Sequence, residues 1–412
     1  MSKVRNIPKD WKLSTIGKLL KISTGNQDTQ NKIKDGKYPF FVRSNIVEKL
    51  DSYSFDGEAV LTAGDGVGVG KVYHYYNGQF AFHQRVYAIY GFNQIINGKY
   101  FYRYFSENFL TEVERYSAKN SVDSVRLNMI LDMELFLPPI KEQEKISKIL
   151  SEVDSAIEHT QALHVKHQKI KIALMQDLLT HGIDQYGKIR NPKTHAYKPS
   201  LLGDIPVEWD VKEIGKIYKT LRTGSTPSRA IPNYFKGDIL WVTSGELKYK
   251  PIYDTIEKIT KEAVRATNLK IYPSGTFFIA ITGLEAEGTR GSCAIIAKEA
   301  TTNQSCMAFE KNDEIDTHFL FQYYKLHGKY ISLLYSQGSK QQSLNNKIVS
   351  KILIHLPPKE EQEKIAQILS SHDEKIEKVK TKLEKLKQLK TALMQDLLSG
   401  TKRVNHLLGE EQ

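Results

Sequence analysis

The residues best spaced for catalysis in this 412-residue chain are Asp238, Glu246 and Lys248. Two carboxylates and a lysine at such intervals resemble the set with which metal-dependent nucleases hold a divalent ion beside a phosphodiester. The corresponding places in the first half carry Tyr38 and Ile46, and short charge patterns of this kind arise often by chance. The run Gly64 to Gly70, GDGVGVG, follows a strand-like segment and looks like a nucleotide loop. A phosphate-cradling loop needs a helix after it, with its N-terminus facing the anion. Lys71 to Ala81 reads as a strand instead, so the run is a hairpin tip. There is no Gly-Lys-Ser/Thr loop. There is no Asn- or Asp-Pro-Pro-aromatic motif of an amino-methyltransferase either, because both Pro-Pro pairs follow leucine. A nuclease stands as an alternative reading; the stronger chemistry is that of binding.

Polar, basic and glycine-bearing loops join the strand-like runs. In the first half they carry Arg43, Ser44 and Asn45, then Gly66 and Lys71, then His83, Gln84 and Arg85, then Lys119, Asn120 and Arg126. In the second half they carry Thr243 and Ser244, Thr289 and Arg290, Asn303 and Gln304, and Lys340, Gln341 and Gln342. Arg, Lys, Asn and Gln hydrogen-bond base edges in the major groove, and glycine lets backbone approach phosphate. The plain alternative is a set of solvated loops; taken together they point to DNA.

Loops of this kind need a frame, and the frame is a duplication. Residues 137–180 and 356–399 align without a gap at an offset of 219, with 23 of 44 positions identical. The matches concentrate in LPP, EQEKI and IL at the start and ALMQDLL at the end. The openings of the globular parts match too. Ile7, Pro8, Trp11, Ile16, Gly17 and Lys18 correspond to Ile205, Pro206, Trp209, Ile214, Gly215 and Lys216. Between these ends the two halves diverge, which suggests a constant frame carrying two different readers.

Each repeated segment reads as one long helix. Pro138-Pro139 and Pro357-Pro358 suit a helix start, and early glutamates favour the positive end of the helix dipole. About 40 residues at about 1.5 Å each make a rod of roughly 60 Å. Ile365, Leu369, His372, Ile376, Val379, Leu383 and Leu386 alternate steps of four and three, the seam of a coiled coil. The first rod repeats the seam at Ile146, Leu150, Val153 and Ile157, then carries His164 and His167. The economical partner for each rod is the other, so the two are expected to pair. The alternative is that each lies on its own domain as a core helix. The histidines read as solvated or neutral seam residues rather than metal ligands.

The division expected is a recognition unit over 1–136, a rod over 137–181, a polar linker over 182–204, a second unit over 205–355, a rod over 356–400 and a polar tail over 401–412. The units read as α+β, with loop-rich mixed sheets of short strands. The net charge of +12 favours an anionic partner. Cys293 and Cys306 make no disulfide framework and no zinc spacing. No signal core or membrane span is apparent, which predicts a cytoplasmic protein.

The plan of variable unit, LPP-x-x-EQ-x-x-I rod, variable unit and second such rod resembles the specificity subunit of Type I restriction-modification systems, over essentially the whole chain. The resemblance implies that each globular unit reads one half of a split double-stranded DNA site. The rods would pair as an antiparallel coiled coil, set the separation of the halves and dock methyltransferase subunits. It implies no catalysis and no bound cofactor in this chain. Two methyltransferase subunits would bring S-adenosylmethionine for adenine methylation, and restriction subunits would bring ATP and Mg. One departure is that the first rod ends Thr180-His181-Gly182 and the second Ser399-Gly400, so spacer length is not implied. The other alternative is a stand-alone DNA-binding or coiled-coil scaffold.

Overall fold

The computed structural model describes residues 8–116, 124–283, 289–335 and 343–408. It divides into two compact units. The first comprises Met1–Ala162 with Lys380–Gln412, and the second is Leu163–Val379. Each unit thus takes one half of each rod. The rods are single helices, Ile140–Thr180 and Lys359–Leu398.

The first unit is built on a six-stranded sheet. Its order is Lys21–Thr24, Val86–Tyr90, Phe55–Ala63, Tyr73–Phe82, Tyr38–Phe41, Val47–Leu50. All neighbours are antiparallel except Tyr38–Phe41 and Tyr73–Phe82, which run parallel. Helix Gly98–Tyr116 packs on this sheet through Phe101, Phe105 and Phe109. Spacing by four places these rings on one helix face, where they stack at 5.4 and 4.4 Å between centroids.

The second unit splits the same scheme into two sheets. One has four strands in the order Arg222–Thr223, Cys306–Phe309, Phe277–Ala280, Cys293–Ile295. The other runs Lys258–Ile259, Ile239–Val242, Ala300–Thr302. The long Tyr73–Phe82 strand of the first unit is here two short strands. Helix Thr317–Tyr335 covers the core, and both cysteines lie in it as free thiols. Burial pushes the Cys306 thiol up to about 12, so it packs as a small apolar group.

The rod motif explains itself at the helix starts. In the first unit Gln143 donates to the Pro138 and Ile95 carbonyls at 2.8 and 2.9 Å and accepts from the Asn97 amide. In the second, Gln362 donates to Pro357 and Glu314 at 2.8 and 3.0 Å and accepts from Asp316. The preceding glutamates are buried and each accepts from an indole at 3.1 Å, Trp11 onto Glu142 and Trp209 onto Glu361. A buried carboxylate needs a cation. Arg403 meets Glu142, and Arg190 meets Glu361. Both arginines follow the end of a rod. The segment 182–204, expected as a polar linker, therefore holds an anchor in Arg190 and a second in buried Ile183. The polar tail holds Arg403 and buried Val404. Gly182 and Gly400 end their helices at φ +64° and +73°, the left-handed cap that favours glycine.

Within each unit the two rods run antiparallel. In the first, Glu142 meets Arg403 beyond the far helix end, and Asp154 meets Lys390 at 2.7 Å. In the second, Lys171 pairs with Asp373 and Ile183 with Glu361. Asp154 and Asp373 are equivalent positions of the repeat, as are Lys171 and Lys390. The globular parts join these nodes through Arg103 on Asp154 and Lys325 on Asp373. Ile146 and Leu150 lie in the core of the first unit, and Ile365 and Leu369 in that of the second. These four seam positions thus serve the domain cores, while Val153, Ile157, Ile376, Val379 and Leu386 are half-buried and Leu383 is buried. His164 and His167 are half-buried.

One pH dependence follows from the second core. His355 lies 5.8 Å from the Trp209 ring and 5.9 Å from Tyr323, and Tyr323 lies 4.5 Å from His327. Burial, with His355 adding, pushes His327 down to about 4; burial also lowers His355. The unfolded chain binds these protons near pH 6.5. The unfolded state therefore takes up more protons as pH falls, and folding stability is lost with it. The second unit is expected to keep full stability above about pH 6.5 and lose it steadily towards pH 4. Urea melts across that window should show the slope, and His327→Phe should flatten it.

Candidate nucleic-acid interface

The loop residues are placed by the strand ends that precede them. In the first unit three of the expected residues, Arg43, Gly66 and Arg85, gather around Asp65. Arg43 Nη1 donates to Asp65 Oδ1 at 2.6 Å and Arg85 Nη1 to Oδ2 at 2.5 Å. Burial alone would raise the Asp65 carboxyl, but the bonds from Arg43 and Arg85 hold it below the usual carboxylate range. Asp65 stands before a short turn, Gly66–Gly68, that presents Val67 to solvent. The run is thus a strand-to-strand tip, with Tyr73–Phe82 after it.

Other expected residues surround this cluster. His83 is buried beneath it, and burial, then the Arg43 charge, lowers its pKa. The ring accepts from the Arg85 amide at 2.9 Å, and Gln84 donates to Asp28 at 3.2 Å. The Ser44 carbonyl meets the His74 ring at 3.1 Å, and Asn45 is exposed beside it. Lys71 closes the tip by donating its amide to Gly68. Arg126 is exposed and follows Val125, whose amide donates to the Gly64 carbonyl. Lys119 and Asn120 lie outside the described residues.

In the second unit Thr243, Ser244, Asn303 and Gln304 meet at one sheet end. The Asn303 amide donates to Val242 at 3.0 Å, and Thr226 Oγ1 donates to Gln304 Oε1 at 2.6 Å. Thr289 and Arg290 lie on the approach to strand Cys293–Ile295, where the Tyr249 hydroxyl donates to the Arg290 carbonyl at 3.3 Å. Lys340, Gln341 and Gln342 lie outside the described residues. The two sheet ends share a close approach. A Cβ at Gly25 would overlap the Phe82 carbonyl, and one at Gly224 the Thr302 carbonyl. Only glycine fits there, which accounts for the shared Thr-Gly at both places.

The nuclease-like set does not assemble. Asp238 precedes strand Ile239–Val242 and Glu246 follows it; four residues at about 3.3 Å put the strand ends ~13 Å apart. The Glu246 carboxylate is occupied locally, accepting from the Thr243 amide and hydroxyl and the Ile256 amide, each at 2.8 Å. It closes a capping box.

Two features escaped the sequence reading. Asp65 looked like a turn residue, and nothing local marks it as the partner of arginines some twenty positions away. Arg229 pairs bidentately with Glu257 at 2.8 and 2.7 Å and lies 4.7 Å from the Phe235 ring centre. Its signal was the Pro-bounded loop TPSRAIP, which set it apart from the strands on either side.

The model of the Type I restriction modification DNA specificity domain matches twice, over residues 8–167 and 206–388. The Type I restriction enzyme MjaIX specificity subunit of Methanocaldococcus jannaschii is 33% identical over 205 residues, which are 48% of this chain and 46% of that protein. The chain thus spans about half the length of that relative. The Type I restriction enzyme EcoDI specificity subunit of Escherichia coli is 26% identical over 385 residues, 87% of this chain and 80% of that one. Among solved structures, the Type I restriction-modification S subunit from M. genitalium has the same fold, with a TM-score of 0.62 at 16% identity, covering 96% of this chain and 98% of that one. Two family domains, two matching frames and two rods occupy the chain from Pro8 to the end of the second helix, and it belongs to the Type I restriction-modification DNA specificity family.

Proposed function

We propose that this chain is the sequence-reading subunit of a Type I restriction-modification complex, with each unit reading one half of a split DNA target. The observation that carries this is one frame used twice with different polar tips, Arg43, Asp65 and Arg85 in one unit and Thr243, Ser244, Asn303 and Gln304 in the other. Different tips imply different half-sites. The rods would form one antiparallel coiled coil that sets the half-site separation and docks two methyltransferase subunits. A duplicated frame with pseudo-twofold character suits two copies of one partner. The subunit carries no catalysis of its own. S-adenosylmethionine, ATP and Mg would belong to the methyltransferase and restriction subunits. Among the described residues no helix is long and apolar enough to cross a membrane, and the reading places the complex in the cytoplasm with the chromosome. The stretches 1–136 and 205–355 would be the recognition domains of this scheme.

The test is a map of methylated adenines in the native host with and without the gene. Loss of one split motif on deletion is the expected outcome. An unchanged map from a transcribed locus would refute the reading. Arg290→Ala, in binding measurements on that motif, is expected to weaken one half only; equal loss at both halves would count against two independent readers.

A further inference from the structure

Backbone hydrogen bonds put the two readers in register residue by residue. In the first unit the Gly64 amide donates to Arg85 at 2.8 Å, and the Gly64 carbonyl accepts from Val125 at 2.7 Å. In the second the Ile281 amide donates to Ser305 at 2.9 Å, and the Ile281 carbonyl accepts from Leu344 at 2.7 Å. Likewise the His83 amide donates to Phe41 and the Asn303 amide to Val242. Counting on from these bonds, Arg43 corresponds to Ser244, Asp65 to Thr282 and Arg85 to Ser305. A cation–anion–cation set in one reader is three small hydroxyls in the other.

From this we infer that Arg43 and Arg85, held side by side on Asp65, are the guanine-reading element of the first unit, and that Asp65 is its positioning residue. The inference rests on the chain being a DNA reader. Each arginine gives Nη1 to the shared carboxylate. A guanidinium has five donors in a planar fork, so each keeps donors for a second acceptor pair. The commonest specific use of such a fork is the O6 and N7 edge of guanine. The side chains are 42% and 62% exposed, while Asp65 beneath them is 15% exposed. Ordering by Asp65 lowers the entropy lost on binding. The carboxylate also repels phosphate, so a site built only for phosphate contacts has no use for it. A base edge beside fixed arginines tolerates it. The hydroxyl set of the second unit, without charge, reads its half-site by other contacts.

The test uses the full chain, with the methyltransferase subunit that copurifies with it, on duplexes carrying the split motif from the methylation map. Replacing a guanine of one half-site by 7-deazaguanine removes N7 and leaves the backbone untouched. Wild type is expected to lose about tenfold in affinity at such a position, while Arg43→Ala or Arg85→Ala, already weakened, should lose little more. Asp65→Asn is expected to bind the motif less tightly and an unrelated duplex as tightly as wild type or tighter. A merely structural role for Asp65 would weaken both duplexes together. The inference is overturned if neither half-site holds a G·C pair, if 7-deazaguanine is neutral in wild type, or if Asp65→Asn lowers both affinities equally. A wild-type chain without preference for any split motif would overturn the reading beneath it as well.

Discussion

Arg190→Leu is expected to lower the unfolding free energy of the second unit by roughly 3–5 kcal/mol, because it leaves a buried carboxylate without its cation. Arg190 and Glu361 are 7% and 8% exposed at their side chains, and their nearest contact is 2.5 Å. Glu361 also accepts from the Trp209 indole and the Ile183 amide. These neutral donors remain in the variant but do not neutralise the charge. Against a typical domain stability of about 5–15 kcal/mol, such a loss is a large share. Removing both charges with Arg190→Leu and Glu361→Leu should recover much of it, since a buried pair replaced by apolar groups is often near neutral. Urea unfolding followed by tryptophan fluorescence checks this, with Trp209 and Trp241 reporting on the second unit and Trp11 on the first. A single variant as stable as wild type would show that the node carries no energy. The matching Arg403→Leu should cost less, because Arg403 is 26% exposed and water can enter to solvate Glu142.

DNA affinity is expected to fall roughly a thousandfold between about 50 mM and 200 mM salt, the response of a protein that neutralises about six phosphates. A net charge of +12, with Lys71 exposed at a strand tip, makes that number of contacts accessible. The two kinds of cation should separate in this experiment. Lys71→Ala removes an exposed point charge that makes no ion pair among the described residues, and should reduce the slope of log affinity against log salt by about one. Arg85→Ala removes one of two cations that share the Asp65 carboxylate, and because its remaining donors are assigned to a base edge it should lower affinity for the motif more than affinity for an unrelated duplex. A flat salt response in wild type would argue against phosphate contacts altogether.

Much of this architecture is legible in the sequence, and for a physical reason. Duplication, helix period and proline punctuation are local or translational properties of the chain. Repeated EQEKI and ALMQDLL segments announced two rods, each far longer than an ordinary globular helix. Paired Trp and Gly positions announced two equivalent globular frames. Among the described residues, Arg43, Arg85 and Asn303 were legible as polar groups at strand ends, because glycine and strand-like runs bracket them.

What only the tertiary structure decided was which residues meet. Asp65 lies twenty-odd residues from each of its arginines, and sheet topology alone, with Tyr38–Phe41 parallel to Tyr73–Phe82, brings the three together. Asp238 and Glu246 looked paired by spacing and are held apart by the strand between them. The partners of Glu142 and Glu361 come from beyond the ends of the rods, at Arg403 and Arg190. Local sequence specifies period and turn, but a buried charge selects its partner by proximity in space, and proximity is a property of the folded chain.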